Sequence, residues 1–416
     1  MESRSFRVAT CLAIFGACGR NGRNPFEKRS FEQANPINRE GVVRLKKVNG
    51  HEIISLFEQW SPKRFAEDWD PVGLHIGQLN RQVEKVLVTL DVNEDVIDEA
   101  IEAGANLIIA HHPPIFRPMK HIWTDTPQGR MVEKCIKYDI SVYAAHTNLD
   151  VASGGVNDLL ADKLGLNHLE VMEVTHSDPL YKLAVFCPVE QADELRAALT
   201  KAGAGAIGDY AGCSFTSTGI GRFLPQDGAD PFIGEIGKME QVEEERIEVV
   251  LPGPLRQKVL KAMLDAHPYE EPAYDFFVLD QRTDAYGLGR VGTIKEPAKL
   301  DDFADYVKEA LDVPALRIVG DGNKIVKKVA VLGGSGSKYI HSAKRKGADV
   351  FVTGDIDFHT AQDAEAMGLS IIDPGHHVEK VMIAGVALKM EQLCKESGYE
   401  VTFIQSVIDT EPFRFI

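Results

Sequence analysis

Two stretches of this chain share one pattern. Gly104-Ala-Asn-Leu-Ile-Ile-Ala110 and Gly347-Ala-Asp-Val-Phe-Val-Thr353 each run Gly-Ala, one polar residue, three apolar residues and a small one. Each then passes directly into polar chemistry, His111-His112 in the first copy and Gly354-Asp355 in the second. A continuous apolar run needs cover on both faces. In a chain that alternates such runs with helices, that means a parallel sheet between helical layers. The flanking text supplies those elements: Lys85–Asp91 as a buried strand, Glu94–Ala103 and Met131–Tyr138 as helices, Ser141–Ala145 as a third strand, and Gly154–Leu164 as a helix stopped at Gly165. Beyond the second copy's helix at Tyr339–Lys346, and before it at the strand Lys328–Leu332, the order repeats. The pairing predicts an internal duplication of strand–helix–strand halves.

The text between the halves differs. Tyr181–Phe186 reads as a strand, Glu190–Ala202 as a helix, and Gly205–Gly221 as turn and hairpin. Arg246–Leu251, Leu255–Ala266 and Ala273–Leu279 follow as strand, helix and strand, the β-α-β-β-α-β order of a ferredoxin-like sandwich. The expected fold class is therefore α/β: a duplicated parallel-sheet core with an inserted ferredoxin-like α+β domain. The expected segments are 1–45 as a non-structural leader, 46–178 as the first half, 180–283 as the insert and 284–416 as the second half. Val8–Cys18, an apolar run behind Arg4 and Arg7, has a weak signal or lipobox as its competing reading.

Charge narrows the function. The net charge is -16, yet residues 1–50 carry ten Lys/Arg against four acids, leaving 36 bases against 58 acids in the remainder. A body that acidic repels phosphate backbones, so general nucleic-acid binding is not expected. No apolar stretch approaches the ~18 residues of a membrane span. The six cysteines form no CxxC pair, which suits a reducing, cytoplasmic compartment. Cys135 falls within the apolar spacing of its helix and reads as core.

The polar residues gather where chemistry is expected, beyond the carboxyl ends of the predicted strands. They are His111-His112, His146 to Asp150, Asp355 with His359, and Asp373 to Glu379 with His376 and His377. Imidazoles and carboxylates are ligands for Zn, Fe, Mn or Ni. Pro113 and Pro114 keep the first pair extended at its strand tip. His376 and Glu379, at i and i+3 where a helix begins, can point to one side. Three or four histidines with two carboxylates exceed one tetrahedral ion, so two divalent ions about 3.5–4 Å apart fit the set. Gly287-Leu-Gly289-Arg-Val-Gly292 matches a dinucleotide fingerprint, but a strand and not a helix follows it. Gly333-Gly-Ser-Gly-Ser-Lys338 lacks the P-loop Ser/Thr, and remains a candidate nest of backbone N–H groups.

His111-His112-Pro-Pro-Ile-Phe116, His146-Thr-Asn-Leu-Asp150, Gly287–Gly292, Thr353-Gly-Asp355 and Gly375-His376-His377-Val-Glu379 resemble the NIF-three-like proteins, a family that carries the description GTP cyclohydrolase type 2. Trp69-Asp70-Pro-Val-Gly73-Leu74 resembles that family's early segment, and the likeness runs from about Val48 to Ile416. His267-Pro-Tyr-Glu-Glu-Pro-Ala-Tyr274 resembles the PII/CutA-like domain inserted in its longer bacterial members. The resemblance implies two divalent ions per chain inside a toroidal homohexamer, held by His111, His112, Asp150, His376 and Glu379. Some shorter members space the last His and Glu by four, which keeps His377 as the alternative to His376. The implied reaction is opening of the GTP purine ring by a metal-bound hydroxide, with His146 as the candidate to move protons. Trp69 and Tyr286 read first as core residues, with stacking on the base as the competing reading of each. His359 would lie beside the site. A nucleotide or another small molecule would be the substrate. The alternative is a non-enzymatic metal-responsive regulator, metallochaperone or scaffold.

Overall fold

A computed structural model describes residues 46–416, so the expected leader lies outside the described residues. The first half runs β1 (Val48–Asn49), α1 (Gly50–Trp60), β2 (Gly73–Ile76), β3 (Gln82–Val83), β4 (Lys85–Thr89), α2 (Glu94–Ala103), β5 (Leu107–Ala110), α3 (Pro127–Lys137), β6 (Ser141–Ala144), α4 (Thr147–Val151) and α5 (Val156–Lys163). Next come β7 (Asn167–Pro188), α6 (Ala192–Ala202), β8 (Ser214–Phe223), β9 (Glu240–Pro252), α7 (Arg256–Ala266) and β10 (Tyr274–Lys299). The second half is α8 (Leu300–Ala310), β11 (Arg317–Val319), β12 (Ile325–Ser335), α9 (Ile340–Arg345), β13 (Val350–Gly354), α10 (Phe358–Ala366), β14 (Ser370–Asp373), α11 (Val381–Glu396) and β15 (Thr402–Gln405). Local chemistry sets many of the ends. Asn49 and Glu52 close a capping box on α1, Asn93 caps α2, and Gly104 ends α2 in the left-handed conformation.

The duplication is visible in the pairing. β4, β5 and β6 are parallel, and β2 closes the third of them antiparallel. β12, β13 and β14 are likewise parallel, and β11 closes the third antiparallel. A helix, α1 or α8, opens each half. β15 joins the first sheet beside β4, whereas β10 joins the second beside β12. The apolar runs divide by side-chain alternation. Val86, Val88, Leu107 and Ile109 share one core with Val329, Val331, Val350 and Val352 of the other half. Leu87, Ile108 and Ala110 face a second core, and Ala330, Leu332 and Phe351 a third. The shared core, filled out by Met382, Val386 and Met390 of α11, joins the halves face to face. Each fully buried side chain of this kind contributes about 1.5–3 kcal/mol.

The middle segment has the ferredoxin-like order β10-β7-β9-β8, antiparallel throughout, with α6 and α7 packed on one core around Leu183, Val185, Leu199, Ile247, Val259 and Met263. Sequence periodicity placed its first and last strands at Tyr181 and Ala273. In the structure β7 begins at Asn167 and β10 runs on to Lys299, paired with each other along that length. One eight-stranded sheet thus carries both the middle segment and the second half. Register shifts in the β7–β10 ribbon break the alternation that would have announced these extensions. Among the described residues no helix is long and apolar enough to cross a membrane.

The segment Gly287–Gly292 lies within β10, as its strand-like continuation required. A Cβ at Gly287 would stand 1.9 Å from the Glu173 carbonyl oxygen, and Gly289 has φ +67. These glycines serve close strand approach. Between them and α5, buried Arg290 donates through Nε and Nη2 to both oxygens of Asp158, at 2.6 and 2.9 Å, and through Nη1 to the carbonyls of Gly287 and Gly289. Removing the guanidinium takes donors from the Gly287 and Gly289 carbonyls and from a partly exposed carboxylate that keeps the Gly154 N–H. Arg290→Ala is therefore expected to lower unfolding free energy by about 1.5–3 kcal/mol, read as a lower urea midpoint with unchanged slope.

Candidate metal centre

The carboxyl ends of the parallel strands deliver the site. His111 and His112 follow β5 directly, with the His112 N–H donating to the Leu90 carbonyl at 2.9 Å. His146 caps α4 after β6, and Asp150 sits in that short buried helix. After β14, Gly375 turns the chain at φ +88 into a 3-10 helix, His376–Lys380, which presents His376 and Glu379. Residues 267 positions apart meet here: His112 Nε2 lies 3.1 Å from Glu379 Oε2.

Three groups of side chains converge closely enough to hold a cation: His111, Asp150 and Glu379; His112, His376 and Glu379; and His111, His112 and His146. Glu379 belongs to two of them through different oxygens. Its Oε1 faces His111 Nε2 at 3.7 Å, and its Oε2 faces His112 and His376 at 3.1 and 3.2 Å. His111 Nε2 and Asp150 Oδ1, 3.6 Å apart, are buried without any hydrogen-bond partner. Two orphaned polar atoms aimed at one point are costly unless a cation satisfies both, so the donor set fits a metal. His359 is exposed on α10 and stands outside these groups. His377 turns to the C-terminal tail instead, 3.6 Å from Asp409 and 3.4 Å from Thr410. Trp69 lies beside His146, ring centres 6.0 Å apart, while Tyr286 packs on Phe65 elsewhere.

The rear nitrogens of the imidazoles are all held. His111 Nδ1 bonds the Ala145 carbonyl at 2.8 Å, His112 Nδ1 bonds Asp91 at 2.7 Å, His146 Nδ1 bonds Asp70 at 3.0 Å, and His376 Nδ1 bonds Asp355 at 2.7 Å. Such partners fix ring orientation and leave Nε2 facing inward. Sequence reasoning did not assign Asp70 or Asp91 a role. Their only signal was position: an acid at the tip of an apolar strand, and an acid inside the Trp69–Leu74 segment. Thr410, which donates to Asp91 Oδ2 at 2.5 Å, gave no signal at all. The glycines at Gly333 and Gly334 also find their reason, because a Cβ at either would stand 2.8 Å from Glu379 Oε1.

The charge balance is tense. Burial opposes ionisation of Glu379, but His111, His112 and His376 hold it well below the usual carboxylate range. Burial and the Glu379 charge push Asp150 up to about 8. Burial works against protonated His112, yet Asp91 and Glu379 raise it to about 10; the Glu379 hydrogen bond, against burial, raises His376 to about 9. Protons thus occupy positions that cations would take. Cys135, pushed up to about 11 by burial, is no thiolate nucleophile.

This architecture defines a class: a duplicated α/β protein with a histidine–carboxylate cage where its two halves meet. The family model for Duf34/NIF3 (NGG1p interacting factor 3) matches residues 48–412, and the chain belongs to that family. A Bacillus subtilis relative called GTP cyclohydrolase 1 type 2 homolog is 57% identical over 371 residues, covering 89% of this chain and 100% of its own. The solved structure of a Bacillus cereus protein related to NIF3 superposes with a TM-score of 0.85 at 52% identity, covering 89% of this chain and 100% of that one. A Staphylococcus aureus structure matches at 33% identity and a TM-score of 0.72, over 89% and 99% of the two chains.

A cation entering the cage would have to displace the protons on His112 and His376. Binding of Zn²⁺ or Mn²⁺ to metal-stripped protein is therefore expected to release protons at pH 7 and to tighten as pH rises from 6 to 8, by about tenfold per unit for each proton displaced. Calorimetry in buffers of different ionisation enthalpy reads this directly. Asp91→Ala, which frees the His112 ring, is expected to weaken metal affinity by about 10–100-fold, read by competition with a chelator.

Proposed function

We propose that this protein holds two divalent ions and uses them to hydrolyse a nucleotide-class substrate, in the manner that the name GTP cyclohydrolase 1 type 2 homolog attaches to its relatives. The observation that carries the reading is the division of Glu379: one oxygen faces His111 and the other faces His112 and His376. One ion would take His111, Asp150 and Glu379 Oε1; the other would take His112, His376 and Glu379 Oε2. Divalent ions so placed supply Lewis acidity and lower the pKa of water toward neutrality.

The chain's own residues do the rest. His146, its Nδ1 tied to Asp70, keeps Nε2 to accept a proton and return it to a leaving group. Asp70 is itself held by the Thr147 N–H at 2.9 Å, so the ring cannot swing away. A cavity of about 770 Å³ opens on His112 and His376 and is bordered by Phe413, Arg414 and Arg317. That volume suits a nucleotide-sized ligand. The aromatic rings can take a base, and the guanidinium of Arg414 an anionic group.

The same proposal, resting on the sequence resemblance, includes a homohexamer, a PII/CutA-like identity for the β7–β10 unit and a cytoplasmic location. A metal-responsive regulator is the second reading, favoured by a cage whose histidines exchange protons for cations.

Elemental analysis of protein purified without added metal, paired with GTP turnover followed by purine absorbance, tests the proposal. Wild type is expected to carry two ions per chain. Glu379→Gln is expected to lose both ions, and His146→Asn to keep them while turnover falls by about 10²–10⁴-fold. Full metal occupancy with no nucleotide turnover would favour the regulator.

A further inference from the structure

The ferredoxin-like unit contains a cavity of about 590 Å³ that shares no residue with the metal cage. Its walls come from Phe186, Phe223, Phe232 and Tyr269, and its buried charge from Glu244. Glu244, on β9, is only 8% exposed. Its Oε1 accepts the Tyr269 hydroxyl at 2.9 Å, and among the described residues Oε2 has no protein donor and stays open to solvent. A Cβ at Gly221 would stand 2.2 Å from that oxygen, so the glycine leaves the carboxylate its place in the cavity wall.

The aromatic walls are pre-set. The Tyr269 N–H donates to His267 Nδ1 at 3.1 Å, which obliges Nε2 to carry the proton it donates to the Phe186 carbonyl at 2.8 Å. Phe223 meets the Tyr269 ring edge-on at 5.8 Å, and Phe232 lies 6.4 Å from it. Phe186 already receives a cation, with Arg246 lying 5.8 Å from its ring. Glu270 and Glu271 add negative charge at the rim, and Arg222 is the one basic residue of the lining.

The chemistry selects a ligand class. A carboxylate in the wall, with Glu270 and Glu271 at the rim against one arginine, disfavours an anion. Among the described residues no three ligating groups converge here, so a metal ion has no cage. A carboxylate among aromatic faces is the environment that recognises an organic cation.

We propose that this cavity binds a small organic ammonium ligand, its cationic head between Glu244 and the Tyr269 and Phe232 rings and its apolar part along Phe223. The site is independent of the metal chemistry.

Calorimetric titration of the full-length protein with tetramethylammonium and n-butylammonium chloride, against sodium chloride at equal ionic strength, tests it. Saturable binding of one cation per chain is expected, with Kd on the order of 1 mM or tighter. Glu244→Gln, which still accepts the Tyr269 hydroxyl, and Phe232→Ala, at a half-exposed ring, are each expected to weaken it by about tenfold, with metal content unchanged. Heats indistinguishable from sodium chloride, or binding that survives both substitutions, would overturn the proposal. So would a Phe232→Ala protein that changes mass in solution while wild type binds neither amine, because the cavity would then be a contact between copies of the chain.

Discussion

Everything about this molecule's centre turns on two carboxylates buried together. Asp150 and Glu379 come from opposite halves of the chain, both are almost wholly removed from water, and each repels ionisation of the other. Ions taken from water cost several kcal/mol apiece unless opposite charge meets them. Four imidazoles surround the pair, so compensation is available as protons or as metal cations. Protons on Asp150, His112 and His376 offset the buried Glu379 charge, and a cation in the cage would take over that task, so metal affinity and pH would be linked.

The surroundings restrict how that charge is supplied. Each ring nitrogen facing away from the cage has its own acceptor, so the imidazoles cannot rotate to hydrogen-bond one another. Asn157 extends the control, donating to the Asp150 carbonyl while accepting the Gly333 N–H. It thereby ties the helix of Asp150 to the glycines at the end of β12, beside Glu379. Those glycines are the ones the sequence offers as an anion nest. Their tight approach to Glu379 is a reason for them that the sequence does not show. Thr410 closes the set from the C-terminal tail by gripping Asp91, so the last residues of the chain border both the cage and the cavity beside it.

Much of this was legible in advance. The strands at Leu107–Ala110 and Val350–Gly354 end where their apolar runs end, because hydrophobic text marks a strand buried on both faces. Pro113 and Pro114 after His111-His112, and Pro374-Gly375 before His376, stop the sheet from continuing, whereas His146 stands where α4 begins. Asp70 and Asp91 escaped notice for a physical reason: an acid that holds an imidazole from behind looks, in sequence, like any solvated acid. The long ribbon of β7 and β10 escaped because bulges disrupt its alternation.

By itself the sequence determined the fold class, the duplicated halves and the residue types at each strand end, since these depend on local periodicity and on which groups water will release. Tertiary structure alone decided which of those residues share an oxygen. Glu379 Oε1 and Oε2 face different imidazoles only because two sheets pack face to face through one core, and that packing sums contacts hundreds of residues apart. No local pattern encodes a distance of that kind, so His376 stands at the cage and His377 at the tail.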